Sequence, residues 1–194
     1  MSSLYVEQPF IHPFVPVGVR KSSKHVPSGP KMHSVLEIRT VTLPERVKVS
    51  QPCGGKKGQG LLAAVFVFCQ IKDFSRRQTI RETYGSELKA HPQTVMYFVV
   101  SRVNNVLLEN ALDKEASQHD DILQFDFKDD YFNLTLKSLA VLRWSALHCS
   151  KAKFIFKFDY DCYIRVDNFI NQLKSFSPDK LYGFKKFYSK VQRT

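Results

Sequence analysis

The stretch LLAAVFVFC, residues 61–69, is the longest apolar run in the chain. A continuous run of this kind predicts a strand that is buried on both faces. Such strands occur mainly in parallel sheets that are covered by helices on both sides. The run is far shorter than the ~20 apolar residues that a membrane-spanning helix requires.

Three more strands are predicted downstream, at residues 94–100, 121–127 and 153–158, with helical patterns between them. The first helix is predicted to begin at a capping box, residues 75–78, and to stop at Gly85. The second is predicted at residues 105–117. The third follows Asp129 and Asp130, and its apolar residues at helical spacing are Phe132, Leu136, Leu139, Leu142 and Ala146. This alternation predicts an α/β fold, a mostly parallel sheet with helices on both faces.

Residues 1–58 have a different character. They hold seven of the nine prolines and carry nine Lys and Arg against three Asp and Glu. We interpret them as an irregular basic stem or linker, with a short strand near residues 35–41, and we assign residues 59–194 to the globular part.

The formal net charge is +11, which favours anionic partners. The excess lies mostly in the stem and in the last nineteen residues, whereas residues 113–130 contain seven carboxylates and two lysines. A nucleic-acid partner is not expected, because no aromatic–basic interleaving or known motif accompanies the charge. The N-terminus also lacks the basic-then-apolar pattern of a signal peptide.

The four cysteines, Cys53, Cys69, Cys149 and Cys162, include no CxxC or CxxH pair of the kind that binds zinc. Cys69 lies in an apolar run and Cys149 at the end of a helical pattern, so we expect both to be buried free thiols. A disulfide between two of the cysteines is the alternative if the compartment is oxidising.

Ligands of parallel α/β sheets bind beyond the carboxyl ends of the strands. Asp159, Tyr160 and Asp161 follow the last predicted strand there. If the strand geometry persists, period two puts the two carboxylates on one side. Two such carboxylates predict a site for Mg²⁺ or Mn²⁺, which would in turn hold a diphosphate. A polar loop after a strand is the alternative.

The segment RRQTIR, residues 76–81, begins the helix after the first strand. A helix N-terminus with arginines favours phosphate, and a solvated helix face with Ile80 in the core is the alternative. Asn133, Leu134 and Thr135 form an N-glycosylation sequon. His119 beside Asp120 and Asp121 predicts a solvated loop more readily than a metal cluster.

Taken together, these segments resemble glycosyltransferase family 31, the β-1,3-galactosyltransferase and β-1,3-N-acetylglucosaminyltransferase group. RRQTIRETYG, residues 76–85, resembles RRxxIRxTWG, with Tyr84 in place of Trp, and KFDYD, residues 157–161, resembles KxDDD. Cys149 falls where the family often has a cysteine. The signature E…DIL…DF…DxYxNLTxK is matched by Glu115, Asp121, Ile122, Leu123, Asp126, Phe127, Asp130, Tyr131, Asn133, Leu134, Thr135 and Lys137.

The resemblance covers residues 61–194 and implies a GT-A fold. It also implies transfer of galactose or N-acetylglucosamine from a UDP-sugar to a glycan hydroxyl, in β-1,3 linkage with inversion, using Mn²⁺ or Mg²⁺. The acceptor would be carried by a glycoprotein or glycolipid. By similarity, Asp159 and Asp161 would hold the metal, and the nucleotide-sugar would lie near Cys69, Arg77, Arg81, Asp159, Tyr160 and Asp161. Family members are usually type II proteins of the Golgi membrane that face the lumen.

The chain departs from the family pattern at Tyr160, where the middle acid is replaced, and at Phe68, Cys69 and Ser101. The acceptor-binding half, with the acidic motif that carries the catalytic base, is expected beyond Thr194, and the membrane anchor is also expected outside these residues. The chain is therefore interpreted as a fragment with the nucleotide-sugar-binding part. A non-catalytic relative that binds a nucleotide or a protein partner is the alternative.

Overall fold

The protein is described by a computed structural model, which covers residues 44–47, 49–130 and 133–178. Its strands are β1 (Glu45–Val47), β2 (Ala63–Phe68), β3 (Thr94–Arg102), β4 (Ile122–Lys128) and β5 (Phe154–Asp159). Its α-helices are α1 (Phe74–Glu82), α2 (Tyr84–Ala90), α3 (Val106–His119), α4 (Leu134–His148) and α5 (Val166–Leu173). Two short 3₁₀ turns, Pro52–Gly54 and Lys56–Gly58, lie between β1 and β2. No helix in the described ranges is long and apolar enough to cross a membrane.

The strands form one sheet in the order β1-β4-β3-β2-β5. β2 to β5 pair in parallel, and β1 is antiparallel to β4 at the edge. The mostly parallel α/β fold is therefore confirmed. The four parallel strands lie within two residues of their predicted bounds.

Alternate residues of β2 serve two separate cores. Val65 and Val67 pack with residues of α1, α2, α3 and α5, whereas Phe66 and Phe68 pack with residues of α4. All six residues of β2 are buried. Burial of one Val or Phe side chain stabilises the folded state by about 1.5–3 kcal/mol. The prediction of helices on both faces is confirmed.

Helix α3 begins where the sequence predicted. The side chain of Asn105 caps it by accepting hydrogen bonds from the backbone N–H groups of Leu107 and Leu108, at 3.0 and 3.2 Å.

The predicted bounds of the first helix were wrong. Helix α1 begins at Phe74 after Asp73, and no side-chain cap is formed there. The helical conformation is interrupted at Thr83, where ψ is −122°. Gly85 lies inside the next helix, α2. A Cβ atom on Gly85 would lie 2.5 Å from the carbonyl oxygen of Ile80. The glycine therefore allows the two helices to approach closely and does not end one.

The predicted core face of α4 was also wrong. The buried face carries Ala140, Val141 and Trp144, whereas Leu142 is 60% exposed. Helix α4 has apolar residues on several sides, so its periodicity allowed more than one face. Packing of Trp144 against Phe66, with ring centroids 5.8 Å apart, decides the face. Phe132 of the predicted pattern lies outside the described residues.

The folded unit includes residues that the sequence analysis assigned to the stem. Strand β1 pairs with β4, and Val49 and Cys53 are buried in the core on the α4 side. Cys53 forms a disulfide with Cys149, so the prediction of a free thiol at Cys149 was wrong. Cys69 is a buried free thiol as predicted. The strand predicted near residues 35–41 lies outside the described residues.

Candidate functional site

The carboxyl ends of β2 and β5 lie side by side, because Phe68 is paired with Asp159 in the sheet. Two loops leave the sheet at this edge. The first, which we call the β2 loop, covers residues 69–73 and leads into α1. The second, the β5 loop, covers residues 160–165 and leads into α5. The candidate site predicted from the sequence lies at this edge.

The chain turns immediately after β5. The backbone N–H of Cys162 donates to the carbonyl oxygen of Asp159 at 3.1 Å, and the N–H of Tyr160 donates to the carbonyl oxygen of Phe68 at 3.2 Å. The strand therefore stops at Asp159, and the period-two argument for placing Asp159 and Asp161 on one side does not apply. Both carboxylates are instead held by a tight turn, and both are exposed.

The carboxylates of this turn are only partly engaged by protein groups. The ammonium group of Lys157, which also lies 4.8 Å from the centre of the Phe68 ring, donates to Oδ1 of Asp159 at 2.7 Å. Asp161 contacts the Cys162 thiol at 4.0 Å. Within the described ranges, no three His, Cys, Asp or Glu side chains group as a metal site. A pair of carboxylates fits an Mg²⁺ or Mn²⁺ ion whose remaining ligands are phosphate oxygens and water molecules.

Arg77 organises the β2 loop from inside the protein, where it is fully buried. Its Nε and Nη2 atoms donate to the two carboxylate oxygens of Glu115, at 2.9 and 2.6 Å. Its remaining N–H groups reach the carbonyl oxygens of Gln70 and Ile71, at 2.8 and 3.1 Å, and the sulfur of Cys69 at 3.9 Å. A guanidinium has five N–H donors, and all five are engaged by protein atoms here.

Arg81 extends the same network by one helical turn. It donates to Glu115 at 2.7 Å and, through two nitrogens, to Asp121 at 2.7 and 2.8 Å. Arg77 and Arg81 do not lie on a solvated helix face, because the Arg77 side chain is buried and the Arg81 side chain is only 11% exposed. Ile80 is in the core, as that alternative expected, and Arg76, Gln78 and Thr79 are exposed. Burial alone would raise the pKa of Glu115, but hydrogen bonds and charge from Arg77 and Arg81 hold this pKa below its ordinary value.

Lys137 of α4 ties the β2 loop to the end of β4. Its buried ammonium group donates to Asp129 at 2.8 Å and to the carbonyl oxygen of Cys69 at 3.3 Å. The carbonyl and the sulfur of Cys69 are therefore held by two different cations. Burial raises the pKa of the Cys69 thiol to about 11, so the thiol is neutral at physiological pH.

Tyr84 lies at the junction of α1 and α2, and its ring packs edge-on against the ring of Tyr163 in the β5 loop, with centroids 5.9 Å apart. Its hydroxyl is buried and has no hydrogen-bond partner among the described residues. Burial raises the pKa of Tyr84 to about 12. This ring contact links α2 to the β5 loop.

Arg76 is a site residue that its sequence pattern did not single out. Arg76 is exposed, and its guanidinium carbon lies 4.4 Å from the centre of the Tyr160 ring. Tyr160 is the residue between Asp159 and Asp161 in the sequence. The helical period could have distinguished Arg76, because Arg77 and Arg81 are four residues apart on one face of α1 and Arg76 is not on that face.

The side chains of two further predicted features, the sequon at Asn133 and the acids beside His119, are engaged in hydrogen bonds within the protein. The side-chain amide of Asn133 donates to the carbonyl oxygen of Lys128 at 3.0 Å, just before α4, and glycosylation there stays a prediction. Asp120 binds the backbone N–H of Ser50 at 2.7 Å, and Asp121 binds Arg81. The acids beside His119 therefore serve tertiary contacts, and no metal cluster forms from these described residues.

A family model described as Galactosyltransferase matches residues 75–191, more than half of the chain. The chain therefore belongs to this galactosyltransferase family, glycosyltransferase family 31, as its motifs indicated.

The similar curated proteins are named as β-1,3-glycosyltransferases. N-acetyllactosaminide beta-1,3-N-acetylglucosaminyltransferase 2 of Mus musculus is 36% identical over 137 residues, which is 68% of this chain and 34% of the relative. Beta-1,3-galactosyltransferase 1 of Homo sapiens is 39% identical over 103 residues, which is 53% of this chain and 32% of the relative. The chain thus spans about a third of the length of these relatives.

Proposed function

We propose that this chain is the donor-binding part of an inverting hexosyltransferase. The enzyme would transfer galactose or N-acetylglucosamine from a UDP-sugar to a hydroxyl of an acceptor glycan, in β-1,3 linkage. The observation that carries the proposal is the exposed carboxylate turn at the carboxyl end of β5, in a chain of this family. Two relatives named as transferases of these two sugars support the choice of donors.

Asp159 and Asp161 would hold Mn²⁺ or Mg²⁺ together with the diphosphate of the donor. The ion would supply positive charge to the diphosphate as it leaves the sugar. Because the described residues offer two carboxylates at this turn and no larger group of ligands, the ion should bind tightly only when phosphate oxygens complete its shell. Lys157 would help to balance the charge of Asp159 until the ion binds.

Cys69, Arg77 and Arg81 would shape the nucleotide side of the site. The hydrogen bonds of Arg77 to the carbonyl oxygens of Gln70 and Ile71 fix the backbone of the β2 loop, so the loop would be in place before the donor binds. Arg81 supports this arrangement through its ion pair with Glu115, the partner of Arg77. Tyr160 would line the same side from the β5 loop. We assign no described residue to the base that takes the proton of the acceptor hydroxyl.

We also propose that the protein works in an oxidising compartment, in the lumen of the Golgi and attached to its membrane. The Cys53–Cys149 disulfide supports this, because buried disulfides persist in oxidising compartments and are rare in the cytosol. Glycans of glycoproteins or glycolipids would be the acceptors.

Thermal unfolding of the 194-residue chain, with and without UDP and Mn²⁺, tests the donor site. Ligand at a hundredfold excess over its dissociation constant stabilises a protein by about 2.7 kcal/mol. We expect UDP and Mn²⁺ together to raise Tm by about 5–15 °C and Mn²⁺ alone to change it little.

Asp161→Asn should abolish the joint effect of UDP and Mn²⁺ without lowering Tm of the free protein. Asp167→Asn is the matched control, because Asp167 is an exposed acid in the first turn of α5, outside the turn after β5. An unchanged Mn²⁺-dependent shift in Asp161→Asn would overturn the metal assignment. Binding of UDP without any sugar transfer by the whole protein would favour a non-catalytic relative.

A further inference from the structure

Two adjacent arginines at the start of α1 have opposite surroundings. Arg77 is fully buried, and protein atoms engage all of its N–H donors. Arg76 is exposed, and no described residue accepts a hydrogen bond or an ion pair from it. The positive charge of Arg77 is therefore balanced inside the protein, whereas that of Arg76 faces outward.

The position of Arg76 is fixed by Tyr160. Its guanidinium lies over the ring, 4.4 Å from the centroid, and a contact of this kind stabilises through the negative charge on the face of the ring. The ring itself is anchored, because Tyr160 packs against the core on the α1 side and its N–H donates to Phe68. No described residue accepts a hydrogen bond from the N–H groups of Arg76, so these donors are available to another group.

The guanidinium of Arg76 lies against the ring of Tyr160, which stands between Asp159 and Asp161 in the chain. Those carboxylates attract a divalent cation, and a cation held there attracts an anion with several oxygen atoms. Arginine binds phosphate through two parallel N–H donors, which is the geometry that a stacked and otherwise unengaged guanidinium offers.

We propose that Arg76, held by Tyr160, is a further donor-binding residue, and that it binds the diphosphate of the nucleotide-sugar. This inference rests on the donor site proposed above. Tyr160 is a positioning residue in this arrangement. Arg77 takes no direct part in anion binding, because it has no free donor.

The test measures the affinity of the 194-residue chain for UDP and for uridine, each in the presence of Mn²⁺. We expect Arg76→Gln to weaken UDP binding about ten- to hundredfold, as for loss of a charge-assisted hydrogen bond, and to leave uridine binding unchanged. Tyr160→Phe keeps the ring and should therefore weaken UDP binding less than Tyr160→Leu does. Tyr160→Leu loses the ring and should weaken UDP binding about two- to fivefold.

Arg102→Gln is the control for loss of charge. Arg102 ends β3 at the same edge of the sheet and is half-exposed, but it is paired with Asp126 at 2.8 Å. We expect this variant to bind UDP as tightly as the original chain. Equal weakening in Arg102→Gln and Arg76→Gln would overturn the inference, since it would show a diffuse effect of charge.

The remaining outcomes separate the two proposals. If the original chain binds UDP and Arg76→Gln binds it equally well, the inference on Arg76 fails and the donor site stands. Equal weakening of UDP and uridine would also overturn the assignment to the diphosphate. If the original chain does not bind UDP with Mn²⁺, the donor site itself fails, and the role of Arg76 fails with it.

Discussion

The β2 loop and the β5 loop leave the same edge of the sheet from neighbouring strands, yet they are built differently. Buried cations hold the β2 loop: Arg77 contacts three of its residues, and Lys137 contacts its first carbonyl group. The β5 loop is held mainly by backbone hydrogen bonds and by the rings of Tyr160 and Tyr163. Its acid Asp161 and its thiol Cys162 are exposed, as is Asp159 at the end of β5.

The difference shows that similar residues serve different purposes on the two sides of one site. The buried charges that hold the β2 loop are paired with each other, so they fix the structure and offer little to a ligand. Charges at the β5 loop are accessible, so they are available to a metal ion or a phosphate. A rigid side and an accessible side together suit the proposed donor site, which would have to be preformed and still admit a charged ligand.

The largest expected contrast is in stability. Arg77→Ala leaves Glu115 without its bidentate partner and three loop acceptors without donors, so it should lower the free energy of unfolding by about 3–5 kcal/mol. Arg76→Ala removes an exposed side chain and should cost less than about 0.5 kcal/mol. Urea unfolding of both variants measures the difference.

Arg77→Lys should lower the free energy of unfolding by an intermediate amount, because it keeps the charge but loses the planar fork of donors. The contrast between the loops would break down if Arg77→Ala and Arg76→Ala unfolded at the same urea concentration.

Acid should weaken the β2 side of the site in a defined pH range. The folded pKa of Glu115 is depressed, so its contribution to stability is present above the unfolded value and is lost as pH falls through the folded value. We expect part of the stability lost below about pH 4.5 to come from this group. Urea unfolding as a function of pH should show a shallower decline for Glu115→Gln. A decline identical to that of the original chain would remove Glu115 from the explanation.

The smallest effect concerns the two free thiols, one in each loop. Cys162 is exposed, whereas Cys69 is buried with a pKa raised to about 11. At pH 8, iodoacetamide should alkylate Cys162 in the native protein and Cys69 only after unfolding. Peptide mass spectrometry after timed labelling measures both sites. Equal rates at Cys69 and Cys162 would show that the β2 loop opens in the native state.

Much of the fold could be predicted because its signals are local. The apolar run before Cys69 and the helical pattern that starts at Asn105 depend on the spacing of residues along the chain, and the structure confirms the strand and the helix. The first helix was predicted less well, because the role of Gly85 depends on how closely α2 approaches Ile80. The exposed side of α4 was missed for a similar reason, since Leu142 and Val141 are equally apolar.

The order of residues alone was enough to establish the class of fold, the family and the edge of the sheet at which Asp159 and Asp161 lie. Strand periodicity and motif spacing carry that information within short segments. Tertiary structure decided that Cys53 pairs with Cys149 and that Arg77 turns inward while Arg76 stacks on Tyr160. Those partners are far apart in sequence, and only the packing of distant segments decides which charge is buried and which stays accessible to a ligand.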